Sequence, residues 1–337
     1  VKNVCVLPLV HSGGMASFRL KFEDGLNRRG LMVSREPQGD VDAILIIAGT
    51  RNLLSLWQAK RRGVRIVQRL DGINWLHRQK YTGVRHFLRA EYGNLILALI
   101  RKKIAAHIVY QSQFSKTWWE TWYGPTSAPS TVIHNGVDLQ RYSPDGSHQR
   151  PADRFRILVV EGSLGGGYDV GVKNAIQLTE MLVARYQQPV ELMAVGRISQ
   201  GLRMRLQAET RIPIVWTGSV SREQIPEIDR SAHLLFSSDL NPACPNAVIE
   251  ALACGLPVAA FDTGALNELV TPDSGRVVPY GGNVWKLDPP DIPALAAAAV
   301  EILQSQDQFR AGARARAESA FDLEIMIERY LEVLFAA

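Results

Sequence analysis

Residues 241–264, NPACPNAVIEALACGLPVAAFDTG, constrain this chain more than any other stretch of similar length. They read as a short helix running directly into a buried strand. Pro245 is suited to the first helical position, because it has no N–H to lose and its φ is already helical. Ala247, Val248, Ala251 and Leu252 form an apolar stripe at helical spacing, Gly255 supplies a left-handed stop, and Pro257 prevents resumption. Leu256–Phe261 is an unbroken apolar run, the pattern of a parallel strand covered on both faces. Glu250 departs from this pattern: it is a carboxylate on a helix otherwise built for burial. Helical side chains lean towards the N-terminus, where free N–H groups attract anions. A phosphate at the helix start (Asn246, Ala247, Val248) and a hydroxyl held by Glu250 together describe a nucleotide. The alternative is a buried α/β unit with a capping glutamate.

The 337 residues exceed what one hydrophobic core usually organises, so two domains are expected. Residues 1–150 carry 22 basic and 10 acidic side chains, a net of +12; the remainder carry 16 and 23, a net of −7. A split by halves supports the two-domain division and suggests an anionic neighbour for the first half. No apolar run reaches the ~18 residues that would suggest a membrane span. Cys5, Cys244 and Cys254 lie in apolar or helical contexts without metal-ligand spacing, which fits a reducing, cytoplasmic setting.

Asn3–Val10 reads as a buried strand, and Met15 to Arg29 as a helix. Between them, His11-Ser12-Gly13-Gly14 offers backbone N–H groups that a phosphate could approach closely, or simply a tight turn. Asp40-Val41-Asp42 introduces a strand and is not taken as a metal site. The strand Val64–Leu70 ends at Asp71-Gly72, on the edge where open α/β sheets hold ligands, although a turn Asp before Gly reads equally well. Val84–Ala106 reads as a long helix, basic and amphipathic, either packed on the core with a solvated face or lying on a membrane surface. A segment rich in Pro, Gly and Ser, 141–153, is the expected linker.

Beyond it, Phe155–Val160 is a strand followed by a glycine-rich turn and a helix carrying Lys173. That order also describes a dinucleotide fold, but the next strand, Val190–Val195, ends in Gly196-Arg197 rather than in an acid for a ribose, which argues against NAD. Ile212–Thr217 is a strand leading to Gly218-Ser219-Val220. Leu266–Val270 and Arg276–Val278 read as further strands, and three helices close the chain.

The 241–264 segment resembles the donor-site signature of retaining family 4 glycosyltransferases, E-x7-E followed by A-x-A-C/S-G-x-P-V. VYQSQFSKTWWE (109–120) and TVIHNGVD (131–138) resemble the same family. The resemblance implies an α/β GT-B fold, two Rossmann-like parallel-sheet domains facing a central cleft. Residues 1–150 would form the acceptor-side domain, 151–320 the nucleotide-sugar domain, and 321–337 a helix crossing back to the first domain. It implies transfer of a hexose from a nucleoside diphosphate sugar to a hydroxyl acceptor, with no metal and no other cofactor. Asp71 would lie near the reacting sugar carbon and Lys173 would neutralise the leaving diphosphate, which Gly13 and Gly14 would face. Gly218 and Val220 would edge the base, and Glu250 would hold the ribose. Two departures are plain: Pro242 stands where the first glutamate of the pair belongs, and Ser163 where the family has an arginine. Arg197 is the candidate substitute for the latter. These departures leave open a sugar-nucleotide binding protein without turnover, and a GT-B epimerase is a further alternative. The basic first half suggests an anionic acceptor, lipid-linked or saccharide, with peripheral contact at the inner membrane face and no nucleic-acid role.

Overall fold

The computed structural model describes residues 1–10, 13–165 and 169–336. The chain forms two units, Val1–Gly136 with Leu323–Ala337, and Val137–Asp322. The division falls at Gly136–Val137, ahead of the expected boundary at 150. Residues 143–150 are held to the second unit, where Arg230 donates to the Ser143 and Ser147 carbonyls and Arg150 donates to the Arg230 carbonyl.

The first unit runs β1 (Asn3–Leu7), α1 (Gly13–Arg28), β2 (Met32–Ser34), β3 (Ala43–Ile47), α2 (Leu53–Arg61), β4 (Arg65–Leu70), α3 (Leu76–Gln79), α4 (Val84–Leu99), β5 (His107–Tyr110), α5 (Gln113–Tyr123) and β6 (Ser130–Val132). Its sheet is parallel throughout, in the order β2-β1-β3-β4-β5-β6. Parallel sheets need helices on both faces, and the runs AILII and VCVL are buried accordingly. The helix that begins as α4 ends in a wider turn at Ile100–Ile104, closed by the Ala105 N–H on the Ile100 carbonyl at 2.9 Å. Arg101 in that turn is fully buried and reaches the Tyr110 hydroxyl at 2.7 Å. Ser112 and Ser115 form a reciprocal capping box that starts α5. The three-residue edge strand β2 carries no sequence signal of its own, and nothing in the pattern anticipates it.

The second unit runs β7 (Phe155–Ser163), α6 (Asp169–Tyr186), β8 (Val190–Arg197), α7 (Gln200–Glu209), β9 (Ile214–Gly218), α8 (Ile225–Ser231), β10 (Leu234–Ser237), α9 (Asn246–Ala253), β11 (Val258–Phe261), α10 (Leu266–Leu269), β12 (Gly275–Val278), α11 (Ile292–Gln304) and α12 (Gln306–Ala320). Its parallel sheet has the order β12-β11-β10-β7-β8-β9. One face is covered by α6 and α11, the other by α8, α9 and α12.

The expected strand at Leu266–Val270 is instead the helix α10. Its two apolar anchors, Leu266 and Leu269, are three apart and both fully buried, a helical spacing that a short apolar run does not reveal by itself. The last helix, α13 (Leu323–Phe335), belongs to the first unit: Tyr330 packs on Phe18 and Phe22 of α1 with ring centroids 5.2 and 5.5 Å away, and Ile327 lies against Gly25.

Gly312 on α12 faces the Asp273 backbone so closely that a Cβ would overlap its carbonyl. Gly312→Ala gains about 1 kcal/mol of helix propensity. The overlap with backbone that cannot rotate away costs more, roughly 1–3 kcal/mol. The variant is therefore expected to unfold at a lower temperature than the parent, measured by thermal denaturation.

Candidate functional site

In the second unit the strand order reverses between β7 and β10. Connections leave these two strands towards opposite faces, so their carboxyl ends border a crevice, the usual ligand position in open α/β sheets. Four of the predicted site residues lie on the strands beside it or on the helices that leave them. Ser163 ends β7, and its hydroxyl stays local, donating to the Gly165 carbonyl at 3.3 Å. Arg197 ends the neighbouring β8 and is paired in register with Ser163; its Nε donates to the Gly162 carbonyl at 3.2 Å. Arg197 is exposed beside Ser163. Lys173, one turn into α6, is ion-paired with Asp169 at 2.8 Å. Glu250 lies on α9, whose first turn follows the loop leaving β10. Residues 166–168 of the glycine-rich turn lie outside the described residues.

Pro245 is the N-cap of α9, with extended backbone (φ −70°, ψ 122°), not its first helical residue; Asn246 takes that place. The Asn246 and Ala247 amides are thus in the first turn, both residues half-buried, while Val248 is buried in the core beneath. Glu250 is only 9% exposed. Its charge is felt by Asp229 of α8, by Tyr142 and by Cys254: burial first, and then Glu250, push the Asp229 carboxyl well above the usual carboxylate range. Pro242 is buried, its carbonyl accepts from the Ala265 N–H at 2.8 Å, and Gly264 (φ +60°) presses against its backbone, where no Cβ would fit. Gly218 ends β9 at φ +74° with open space above it, and Val220 packs on the core under α8 and α9.

The remaining predicted residues are in the first unit. Gly13 and Gly14 are exposed and form the first turn of α1, which begins there rather than at Met15; His11 and Ser12 lie outside the described residues. Asp71 follows β4 and its carbonyl accepts from Trp119 Nε1 at 2.8 Å. Burial raises its carboxyl pKa, and the Arg69 charge partly opposes that rise. Arg69 itself is buried, donating to Asn135 Oδ1 at 2.7 Å and lying 3.9 Å above the Phe18 ring, so the TVIHNGVD motif meets β4 and α1 there.

The structure adds two groups that the sequence reading passed over. Glu161, near the end of β7, accepts from the Ser238 hydroxyl at 2.8 Å, which joins the two strands across the reversal. Burial, and then the negative charge of Asp239, hold the Glu161 carboxyl well above its ordinary value; burial raises Asp239 as well. Ser238 in turn touches Gly171, where a Cβ would come within 2.8 Å of its hydroxyl. Glu161 ending an apolar strand run, RILVVE, was the available signal. A hollow of about 640 Å³ lined by Gln177, Glu180, Met181, Ala184, Arg185 and Ile292 touches none of these residues. Among the described residues no group of three or more His, Cys, Asp or Glu side chains could hold a metal ion, and no helix is long and apolar enough to cross a membrane.

Over its full length the chain is similar to solved structures that share little of its sequence. Sucrose-phosphate synthase (tll1590) from Thermosynechococcus elongatus superposes with a TM-score of 0.76 at 16% identity, covering 99% of this chain and 98% of that one. Anabaena Alr3699/HepE in complex with UDP and glucose superposes at 0.68 and 17% identity, with both chains fully covered. The fold is GT-B. Residues 156–305 match the model of glycosyl transferases group 1, so in this chain the GT-B fold carries that sequence pattern in its second unit. The GDP-mannose-dependent alpha-(1-6)-phosphatidylinositol dimannoside mannosyltransferase of Mycobacterium tuberculosis is 32% identical over 155 residues. That alignment takes in 44% of this chain and 40% of the mannosyltransferase, so about two fifths of the curated relative's length is matched.

The Glu161–Asp239 pair sets a pH dependence. A carboxyl whose folded pKa is raised binds its proton more tightly in the folded state, so stability falls as pH rises from the unfolded value of 4.5 through the folded one. Glu161→Gln keeps an acceptor for Ser238 and removes one of the two charges. It is expected to raise the unfolding midpoint at pH 8, with the gain shrinking towards zero near pH 4, as read by thermal scans across pH.

Proposed function

We propose that this chain is a retaining, metal-independent glycosyltransferase that moves a hexose from a nucleoside diphosphate sugar to a hydroxyl acceptor. The observation that carries this reading is the position of Glu250: a buried carboxylate on a helix whose first turn opens beside the strand-order reversal. A ribose on Glu250 and a diphosphate over the Asn246 and Ala247 amides need one ligand, a nucleotide. The group 1 match over 156–305 supports the same reading, as does a neighbour of the same fold holding UDP and glucose.

The chemistry asked of the second unit is mainly electrostatic. The bond from the sugar carbon to the diphosphate breaks, the acceptor oxygen bonds to that carbon on the same face, and the acceptor proton passes to the departing diphosphate. Charge therefore develops on the diphosphate, where Lys173, Arg197 and the α9 amides would oppose it. The Lys173–Asp169 pair does not prevent this. The pair is partly exposed, and ion pairs four residues apart on a helix surface are worth about 0.3–0.5 kcal/mol, so the ammonium can exchange partners at modest cost. No cofactor beyond the co-substrate is required. The positive charge of the first unit fits an anionic acceptor, lipid-linked or saccharide, met at the inner face of a membrane.

Pro242 locked against Gly264, and Ser163 bonded within its own turn, favour a second reading, a sugar-nucleotide binding protein without turnover. Incubation with a panel of nucleotide sugars separates the two. Release of nucleoside diphosphate from one donor supports the transferase; binding with no release supports the second reading, and an epimeric product an epimerase.

In calorimetry, Glu250→Ala is expected to weaken nucleoside diphosphate binding at least tenfold, since charge-assisted bonds are worth about 1.5–3 kcal/mol each. Unchanged affinity in the folded variant would remove Glu250 from the site. Lys173→Ala is expected to lower kcat at saturating donor, because its charge matters most as the sugar leaves; a kcat within about twofold of the parent would make it a solvated lysine.

A further inference from the structure

Helix α4 has two apolar faces. Asn94, Leu97 and Ala98 turn inward and are buried. Val84, Leu88, Tyr92, Leu95 and Leu99 recur at intervals of four and three, which puts them in one stripe along the helix. That stripe is exposed: Leu88 and Leu95 each keep 62% of their surface in contact with solvent, and Val84 keeps 64%. Helix α2 lies alongside and runs the same way. Arg51, just ahead of it, sits over the Tyr92 ring at 5.8 Å, and Lys60 near its end donates to the Lys103 carbonyl at 2.7 Å, beyond the end of α4. Its own outward residues, Leu54 at 66% and Trp57 at 46%, extend the strip.

Isolated exposed leucines are ordinary, but a contiguous apolar strip across two adjacent helices marks an interaction surface. The charge around it selects the partner. Arg85 and Arg89 are exposed on α4, and Arg61 stands 4.0 Å over the Trp57 ring. The acid of α4, Glu91, is already engaged by Arg78 at 2.6 Å and His77 at 2.8 Å. The unit as a whole has 21 Lys and Arg against 11 Asp and Glu. We infer that this strip docks the first unit on the surface of an anionic lipid bilayer. Leu54, Leu88 and Leu95 enter the acyl boundary, Trp57 and Tyr92 lie at headgroup level, and the arginines meet lipid phosphates. The inference does not rest on the transferase reading: it requires no donor, no acceptor and no turnover.

The test is co-sedimentation of the full chain, without nucleotide, with vesicles of neutral lipid alone or with about 30 mol% anionic lipid. Binding to the anionic vesicles is expected, weakening as salt rises from about 0.1 to 0.5 M and the Debye length shortens. Leu88→Asn/Leu95→Asn is expected to lower vesicle affinity at least tenfold while leaving the thermal midpoint and nucleotide binding unchanged. Arg85→Gln/Arg89→Gln is expected to remove the preference for anionic lipid. Absence of binding at low salt would overturn the inference, and so would equal binding by parent and Leu88→Asn/Leu95→Asn. A dimer in sedimentation equilibrium that the same double substitution dissociates would assign the strip to a second copy and overturn it as well.

Discussion

Every strand pair in both sheets is parallel, so within each unit all carboxyl ends lie along one edge. This constraint decides where chemistry can occur. Successive parallel strands need a crossover helix, and each helix that links two strands in the second unit therefore starts on the carboxyl side and returns behind the sheet. Residues as far apart in sequence as Glu161, Lys173, Arg197, Ser238 and Glu250 reach the same edge for that reason. The reversal between β7 and β10 then opens the edge at one place, because the connections on its two sides depart towards opposite faces.

Carboxyls buried in the second unit are expensive. Burial raises the pKa values of Glu161, Asp239 and Asp229, and the negative charges of Asp239 and Glu250 add to the rise at Glu161 and Asp229 respectively. A core selected for stability alone would replace them with apolar side chains, since buried charge without full compensation costs several kcal/mol. Glu161 and Asp239 stand at the carboxyl ends of β7 and β10, the ligand edge of the sheet, and that position is what associates them with a site; Asp229 lies farther back, near the end of α8. The first unit has a comparable feature in Arg69, whose buried guanidinium is compensated by Asn135 and by the face of Phe18.

The two faces of α4 follow from a different balance. A helix beside a parallel sheet needs only one apolar stripe, and its outer side is normally polar. Here the inner stripe includes Asn94, which accepts from the Asn74 backbone N–H and donates to its carbonyl, while leucines stand outside. Apolar side chains left in water add little to the fold, and this outer stripe is the observation behind the proposed docking on a lipid surface.

The sequence by itself determined the α/β class, the two-unit division and the order of nearly all elements, because these rest on local signals. Gly255 and Pro257 end α9, the apolar runs of β3 and β11 fit covered strands, and the Asn241–Gly264 segment carries its helix–strand identity within 24 residues. Glu250 was legible for the same reason, as one carboxylate out of place in an apolar pattern. Tertiary structure alone decided what depends on neighbours distant in sequence. Leu266–Leu269 is a helix because both anchors meet a core that its own four residues do not specify. Glu161 became part of the candidate site only when β10 brought Ser238 and Asp239 beside it, 77 residues away in the chain. The outward turn of Leu88 and Leu95 was likewise unreadable, since an apolar residue in a helix does not reveal which face the rest of the fold leaves uncovered.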